Sequence, residues 1–131
     1  MKDRPLTIGE LLHYMEQCER EESVIFLTGT LPVQLDGTIS SWRGDYYQVA
    51  LGYVLYGTLN KEPVKVKDLI SILKNKIGKL QQGWKGGMFP VTENTEVWLD
   101  NPGDCCNHAI VRAYTISGID DAFYLDVKYL N

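Results

Sequence analysis

The segment "AFYLDVKYL", residues Ala122–Leu130, alternates apolar and polar side chains along most of its length. A period of two residues predicts a β-strand in a sheet with one buried face and one face in water. Two further strand-like segments precede it, "TEVWLDN" (95–101) and "HAIVRAYTI" (108–116), and the turn-forming stretches "PGDCC" and "SGIDD" separate the three. We therefore expect the C-terminal part of the chain to form an antiparallel sheet.

Two segments show the periodicity of amphipathic helices. The first follows a capping box, with Thr7 as N-cap and Glu10 at N3, and is expected to run to about Arg20. Cys18 falls on its apolar face, which predicts a small buried side chain. In the second helix an apolar stripe begins at Val66, and Gly78 is expected to end the helix as its C′ residue.

Three segments lie between the helices. "SVIFLTG" (23–29) predicts a short buried strand and "TLPVQLDGTISS" (30–41) a turn-rich loop. "YYQVALGYVLY" (46–56) predicts a long strand, with Gly52 as a candidate bulge position. The order helix, strands, helix, strands indicates the α+β class: a single domain over residues 1–131, in which two amphipathic helices pack on one side of an antiparallel β-sheet.

Composition restricts the function. The chain of 131 residues is 44% hydrophobic and 23% charged, as in ordinary globular proteins. No apolar run reaches 18 residues and "MKDRPLTIGE" has no apolar signal core, so we expect a protein of the cytosol without contact with membranes. The net charge of −4 argues against binding to duplex nucleic acid, which favours a basic face. An anionic small molecule in a local pocket remains compatible with it.

No enzyme signature is visible. His13 is expected on the surface, and His108 has no partner that the sequence reveals. Asp120 and Asp121 follow Gly118, as in a turn. The three cysteines contain no C-x-x-C pair, and their spacing to the histidines fits no zinc site. We therefore expect no catalytic residues, no metal and no cofactor.

The motifs "SWRG" (41–44) and "GWKGG" (83–87) place a tryptophan, a cation and glycine side by side twice. An indole offers a flat stacking surface, a cation can meet a phosphate, and glycine lets the backbone approach a ligand. Phe89 lies close to the second motif. The pattern predicts a nucleotide-binding site, although both tryptophans could equally be anchors of the core.

These motifs also belong to a wider similarity. The pieces "SWRGDYYQVALGY" (41–53), "GWKGGMF" (83–89), "TEVWLDNPG" (95–103) and "AIVRA" (109–113), in that order after "LTIGELL", resemble a family of small bacteriophage proteins. That family is identified with the first type of Thoeris anti-defence protein, which sequesters cyclic ADP-ribose isomers made by bacterial TIR-domain enzymes. The resemblance covers nearly the whole chain.

The resemblance implies a homo-oligomer, a dimer or higher, in the cytoplasm of the infected host, which binds its nucleotide near subunit interfaces and releases it intact. One aromatic ring would stack on the purine, cationic side chains would meet the phosphates, and Asn101 or Thr95 would contact the ribose or the base edge. The candidate ligand-binding residues are Trp42, Arg43, Gly44, Trp84, Lys85, Gly86, Phe89, Thr95, Asn101 and Arg112.

Two other function classes remain open at this point. One is a phage interaction module that blocks a host or virion protein, in which Trp42 and Trp84 would be the residues that contribute most to binding. The other is a nucleotide-processing enzyme. Stabilisation by ligand distinguishes a nucleotide binder from the interaction module, and recovery of unmodified ligand excludes the enzyme.

Overall fold

The computed structural model describes residues 3–30, 32–41, 47–83, 86–100, 108–119 and 121–130. The predicted residues Trp42, Arg43, Gly44, Trp84, Lys85 and Asn101 lie outside these ranges. The described elements, in chain order, are α1 Ile8–Glu16, β1 Val24–Thr28, β2 Val33–Ser40, β3 Val49–Leu55, α2 Val66–Lys76, β4 Leu80–Gln82, β5 Met88–Pro90, β6 Val97–Leu99, β7 His108–Tyr114 and β8 Ala122–Tyr129.

Six of the strands form one sheet, in the order β1-β8-β7-β6-β3-β2, and its edge strands β1 and β2 contact each other, so the sheet nearly closes on itself. The α+β class is confirmed, but the expectation of an antiparallel sheet is wrong. Strand β1 pairs parallel with β8, and β3 pairs parallel with β6. Parallel neighbours need long crossover connections. The chain between β3 and β6, which contains α2 and the β4–β5 hairpin, supplies one.

Strand β2 replaces the expected turn-rich loop. Its pairing with β3 shifts between Leu35 and Ile39, so three residues of β2 lie opposite Gly52 alone. Gly37 takes a φ of 89°, and the Asp36 carboxylate accepts a hydrogen bond from the Thr38 amide at 2.9 Å. The residues that suggested a turn therefore form a bulge inside a strand. The bulge lies at Gly52, as the sequence suggested, but the extra residues belong to β2.

The helix ends follow from local chemistry. At α1 the capping box is present: the Glu10 amide donates to the Thr7 hydroxyl at 3.1 Å, and the Thr7 amide donates to the Glu10 carboxylate at 3.0 Å. The helix ends at Glu16, one turn before the predicted Arg20, so Cys18 lies past its end and is only partly buried. Helix α2 ends as predicted, with Gly78 at a φ of 84°.

Both helices pack on the same core. The buried side chains of α1 and α2 form one cluster with residues from the inner face of the sheet, including Phe123, Leu125 and Val127 of β8. The alternating positions Tyr124 and Asp126 lie on the other face and are half-buried, as the period of two predicted. In the described part of the chain, neither helix has the length and apolar character needed to cross a membrane.

Glu10 should make stability depend on pH. The Arg4 guanidinium, 2.6 Å away, and the Thr7 amide lower the pKa of the Glu10 carboxyl from 4.5 to about 2. A carboxyl whose pKa falls on folding stabilises the fold above pH 4.5, and this contribution disappears as the pH drops through 2. Glu10→Gln keeps a capping acceptor but removes the charge. Because both side chains are partly exposed, we expect it to lower the free energy of unfolding by only about 1 kcal/mol at pH 7.

Urea unfolding of Glu10→Gln and of the parent at pH 7 and at pH 2 measures this effect. Glu16→Gln is the matched control, because it removes a carboxylate from the same helix. The Glu16 carboxylate is exposed, and its ion-pair partner Lys74 is also half-exposed. It should change stability by less than about 0.5 kcal/mol at both pH values. An equal loss for Glu10→Gln at pH 7 and at pH 2 would show that its charge contributes nothing.

Candidate functional site

The second tryptophan motif lies at the tip of the hairpin formed by β4 and β5. The Gly83 amide donates to the Gly87 carbonyl at 2.8 Å, and the Gly86 amide donates to the Gly83 carbonyl at 2.9 Å. Gly86 and Gly87 have φ angles of 93° and 80°, in the left-handed region that favours glycine. The predicted residue Gly86 is exposed and shapes this turn. Trp84 and Lys85, between the hydrogen-bonded glycines, lie outside the described residues.

The first motif begins next to this hairpin. Ser41, the last described residue before Trp42, is 3% exposed. Its hydroxyl donates a hydrogen bond of 2.7 Å to the carbonyl of Gln82, the residue before Gly83. Ser41, the first residue of the first motif, is therefore in direct contact with the residue that precedes the second motif, 41 positions along the sequence.

The first described residue after the first motif also contacts the β4–β5 hairpin. Tyr47, which follows the gap at residues 42–46, has its ring centroid 5.4 Å from that of Phe89 on β5. The two rings differ in exposure: Tyr47 is 53% exposed, whereas Phe89 is 4% exposed and belongs to the core. Phe89, predicted to stack on a ligand, is thus a buried support for Tyr47. Tyr47 is the exposed ring that the sequence analysis missed.

A third segment with a predicted residue starts nearby. Asp100, directly before Asn101, follows β6, and its amide donates to the Leu51 carbonyl at 2.9 Å. The Ser40 hydroxyl donates to the Asp100 carboxylate at 3.3 Å. Ser40 and Ser41 are consecutive, so the described residues that flank all three predicted segments are linked by two serine hydroxyls.

A shallow cavity of about 300 Å³ opens beside these flanks. It is lined by Tyr47, Gln48, Phe89, Pro90, Thr92, Asn94 and Thr95. Thr95, a predicted polar contact, is 6% exposed, and its hydroxyl accepts a hydrogen bond from the Thr92 amide at 3.0 Å. Its side chain therefore closes the turn before β6, whereas the neighbouring Asn94 is exposed. The structure brings Phe89 and Thr95 together, with Tyr47 as the accessible surface between them and solvent.

Arg112, the remaining predicted residue, lies elsewhere. It faces Asp126 in the pairing of β7 with β8, and its Nε and Nη2 atoms donate to the Asp126 Oδ2 atom at 3.1 and 2.6 Å. This carboxylate raises the pKa of the Arg112 guanidinium above its usual value. Arg112 does not line the cavity beside Tyr47. The structure thus places one predicted phosphate contact outside the lining of the cavity beside Tyr47.

The other side chains considered for catalysis, His13, His108 and Asp121, each contact a neighbouring side chain of the protein. His13 is exposed and lies 3.1 Å from the Gln17 amide group, and His108 packs edge-on against Tyr129. Asp121 forms an ion pair of 3.0 Å with Arg20, and both side chains are exposed. In the described ranges no three His, Cys, Asp or Glu side chains group as metal ligands would. The arrangement beside Tyr47 offers stacking and hydrogen bonding, which are means of binding a ligand.

Comparison with protein-family models, with curated protein sequences and with solved structures finds no match to this chain.

Proposed function

We propose that the protein binds a small cyclic nucleotide of the cyclic ADP-ribose type and sequesters it without degrading it. The observation that supports this most is the contact between described residues that flank the two tryptophan motifs. These flanks meet through the Ser41–Gln82 hydrogen bond and through the Tyr47–Phe89 ring contact. The proposal is that one ligand uses the aromatic and cationic side chains of both motifs.

The chemistry of the motifs suits this ligand. A purine can stack on an aromatic ring, and a pyrophosphate can accept charge-assisted hydrogen bonds from Arg43 and Lys85. Tyr47 adds an exposed ring and Asn94 an exposed amide, and both line the cavity beside the described flanks of the motifs. Because the net charge of the whole chain is −4, attraction of an anion depends on such local cations.

The proposal includes assembly into a dimer or a higher oligomer through the β4–β5 hairpin. Leu80 is 63% exposed and Met88 is 58% exposed, and both lie on the face of the hairpin opposite the buried Phe89. Exposed apolar side chains of this size on one short hairpin are typical of a protein–protein contact. An interface at this place would bring a second subunit next to the "GWKGG" motif.

Titration calorimetry with cyclic ADP-ribose isomers tests the proposal, with linear ADP-ribose for comparison. We expect Arg43→Ala and Lys85→Ala each to weaken binding of a cyclic isomer about tenfold or more, because each removes a charge-assisted contact. Arg20→Ala is the matched control, since Arg20 is an exposed cation that pairs with Asp121 and does not line the cavity beside Tyr47. The ligand should be recovered unmodified after the protein is heated, and sedimentation at micromolar concentration should give at least a dimer mass.

Each outcome separates the function classes. Conversion of the ligand would identify an enzyme. Absence of binding to every isomer would overturn the nucleotide proposal and favour the interaction module. A dimer mass that persists in Leu80→Asp would show that the subunits do not meet through the hairpin. If Arg43→Ala and Lys85→Ala bind as tightly as Arg20→Ala, the nucleotide site lies outside the two motifs.

A further inference from the structure

A row of aromatic rings crosses the face of the sheet opposite the buried core. Phe26 of β1, Tyr124 of β8 and Tyr114 of β7 lie side by side in the strand register. The ring centroids of Phe26 and Tyr124 are 5.9 Å apart at an angle of 29°, and those of Tyr114 and Tyr124 are 5.5 Å apart at 19°. The row therefore ends at the Tyr114 ring, which is 37% exposed.

The end of this row lines a cavity of about 450 Å³, which is distinct from the one beside Tyr47. The cavity is lined by Leu6, Tyr14, Val111, Arg112, Ala113 and Tyr114. Tyr14 belongs to α1 and is 43% exposed, so a second accessible ring faces the cavity from another element. A volume of this size is within the range of small-molecule sites, and the lining combines apolar side chains, two tyrosines and one cation.

The cation is held in place before any ligand arrives. Arg112 donates to Asp126 through Nε and Nη2, and the second Asp126 oxygen accepts a bond of 3.3 Å from the Thr28 hydroxyl. A guanidinium has five N–H donors, so the Nη1 group remains available to an acceptor outside this ion pair. The Arg112 side chain is 70% exposed and can be reached from solvent.

The ion pair also limits the charge of a ligand. Asp126 compensates much of the Arg112 charge, and no other cation lines the cavity among the described residues. A ligand with several negative charges would meet the Asp126 carboxylate as well as the guanidinium, and like charges repel. One acidic group on a flat ring matches one partly compensated guanidinium beside two tyrosine rings.

We propose that this cavity is a second ligand site, which binds a planar aromatic molecule with a single acidic group. The ligand ring stacks on Tyr114 and extends the row that begins at Phe26, and the acidic group accepts hydrogen bonds from Arg112. Tyr14 covers the ring from the side of α1. The site goes beyond the proposed nucleotide binding, because none of its lining residues belongs to either tryptophan motif.

Amide chemical shifts in the ¹⁵N-labelled full chain test the proposal, with indole-3-acetate and benzenesulfonate as two sources of a singly charged acidic group. For molecules of this size we expect a Kd of about 0.1–1 mM. The largest shifts should fall on Leu6, Ala113 and Tyr114. Indole, which lacks the acid, and cyclohexylacetate, which lacks the aromatic ring, should bind at least about fivefold more weakly. Saturating cyclic ADP-ribose should not displace the acid.

Paired variants separate the stacking from the charge. Tyr114→Phe keeps the ring and should bind indole-3-acetate like the parent, whereas Tyr114→Leu should bind it about five- to tenfold more weakly. Arg112→Gln should weaken the acid about tenfold and leave neutral indole unchanged. Tyr56→Leu removes a tyrosine that is 59% exposed at the end of β3 and should have no effect. Shifts confined to other parts of the chain, or equal affinity of Tyr114→Leu and Tyr114→Phe for the acid, would overturn the proposal.

Discussion

Gly29→Ala should lower the free energy of unfolding by about 2–4 kcal/mol, because two separate costs fall on the same residue. Gly29 has a φ of 84°, where an L side chain costs about 1 kcal/mol or more. A Cβ atom there would also lie 2.5 Å from the backbone carbonyl oxygen of Val127 in β8. A backbone atom of a central strand cannot rotate away as a side chain can, so the end of β1 would have to move from its partner.

Gly118→Ala is the control for the cost of a positive φ alone. Gly118 has the same φ of 84°, but a Cβ atom there would meet nothing within 4 Å. The effect of alanine on the unfolded chain is common to both variants and cancels in their comparison. We expect Gly118→Ala to cost about 1 kcal/mol, and the difference between the variants in urea unfolding then measures the clash with β8. Equal losses in the two would show that the β1–β8 end adapts without cost.

The pairing of β1 with β8 shows why the sheet was predicted only in part. The alternation in β8 and the apolar stripes of the helices are local patterns, and the structure confirms both. The parallel pairing of β1 with β8 joins segments about 100 residues apart, and no local pattern encodes which strands become neighbours. Strand β2 was missed for another reason. Its Asp36 and Gly37 have the chemistry of a turn, which here forms a bulge within the strand.

The sequence indicated which types of residue a binding site would use, but it did not indicate which of those side chains are accessible. Residues at the edges of the two tryptophan motifs meet at Ser41 and Gln82, and a shared role of the motifs in binding stays a prediction. Which ring is accessible could not be predicted, since burial depends on packing between segments far apart in sequence. The same holds for Arg112, whose partner Asp126 lies on the next strand. A signal for Tyr47 was present in its position three residues after the end of the first motif, in a segment interpreted as strand.

Phe89→Ala should lower the free energy of unfolding by about 3–5 kcal/mol, the cost of removing a large aromatic side chain from a core. Phe89 is 4% exposed and lies in the same cluster as residues of both helices, so its truncation would leave a cavity between the hairpin and the core. A ligand-stacking Phe89, as the sequence suggested, would instead cost affinity with little change in stability. Thermal unfolding without ligand therefore distinguishes the two roles of this residue.

Tyr47→Ala provides the matched comparison, because the two rings touch but only one of them is buried. Tyr47 is 53% exposed, so its removal should cost less than about 1 kcal/mol of stability. If Tyr47 stacks on the nucleotide, the same variant should weaken binding about tenfold, within the range measured for base stacking. A large loss of stability in Phe89→Ala with unchanged affinity in Tyr47→Ala would confirm the core role of the first ring. It would also move the stacking surface to the two tryptophans, whose replacement by leucine would then be the decisive measurement.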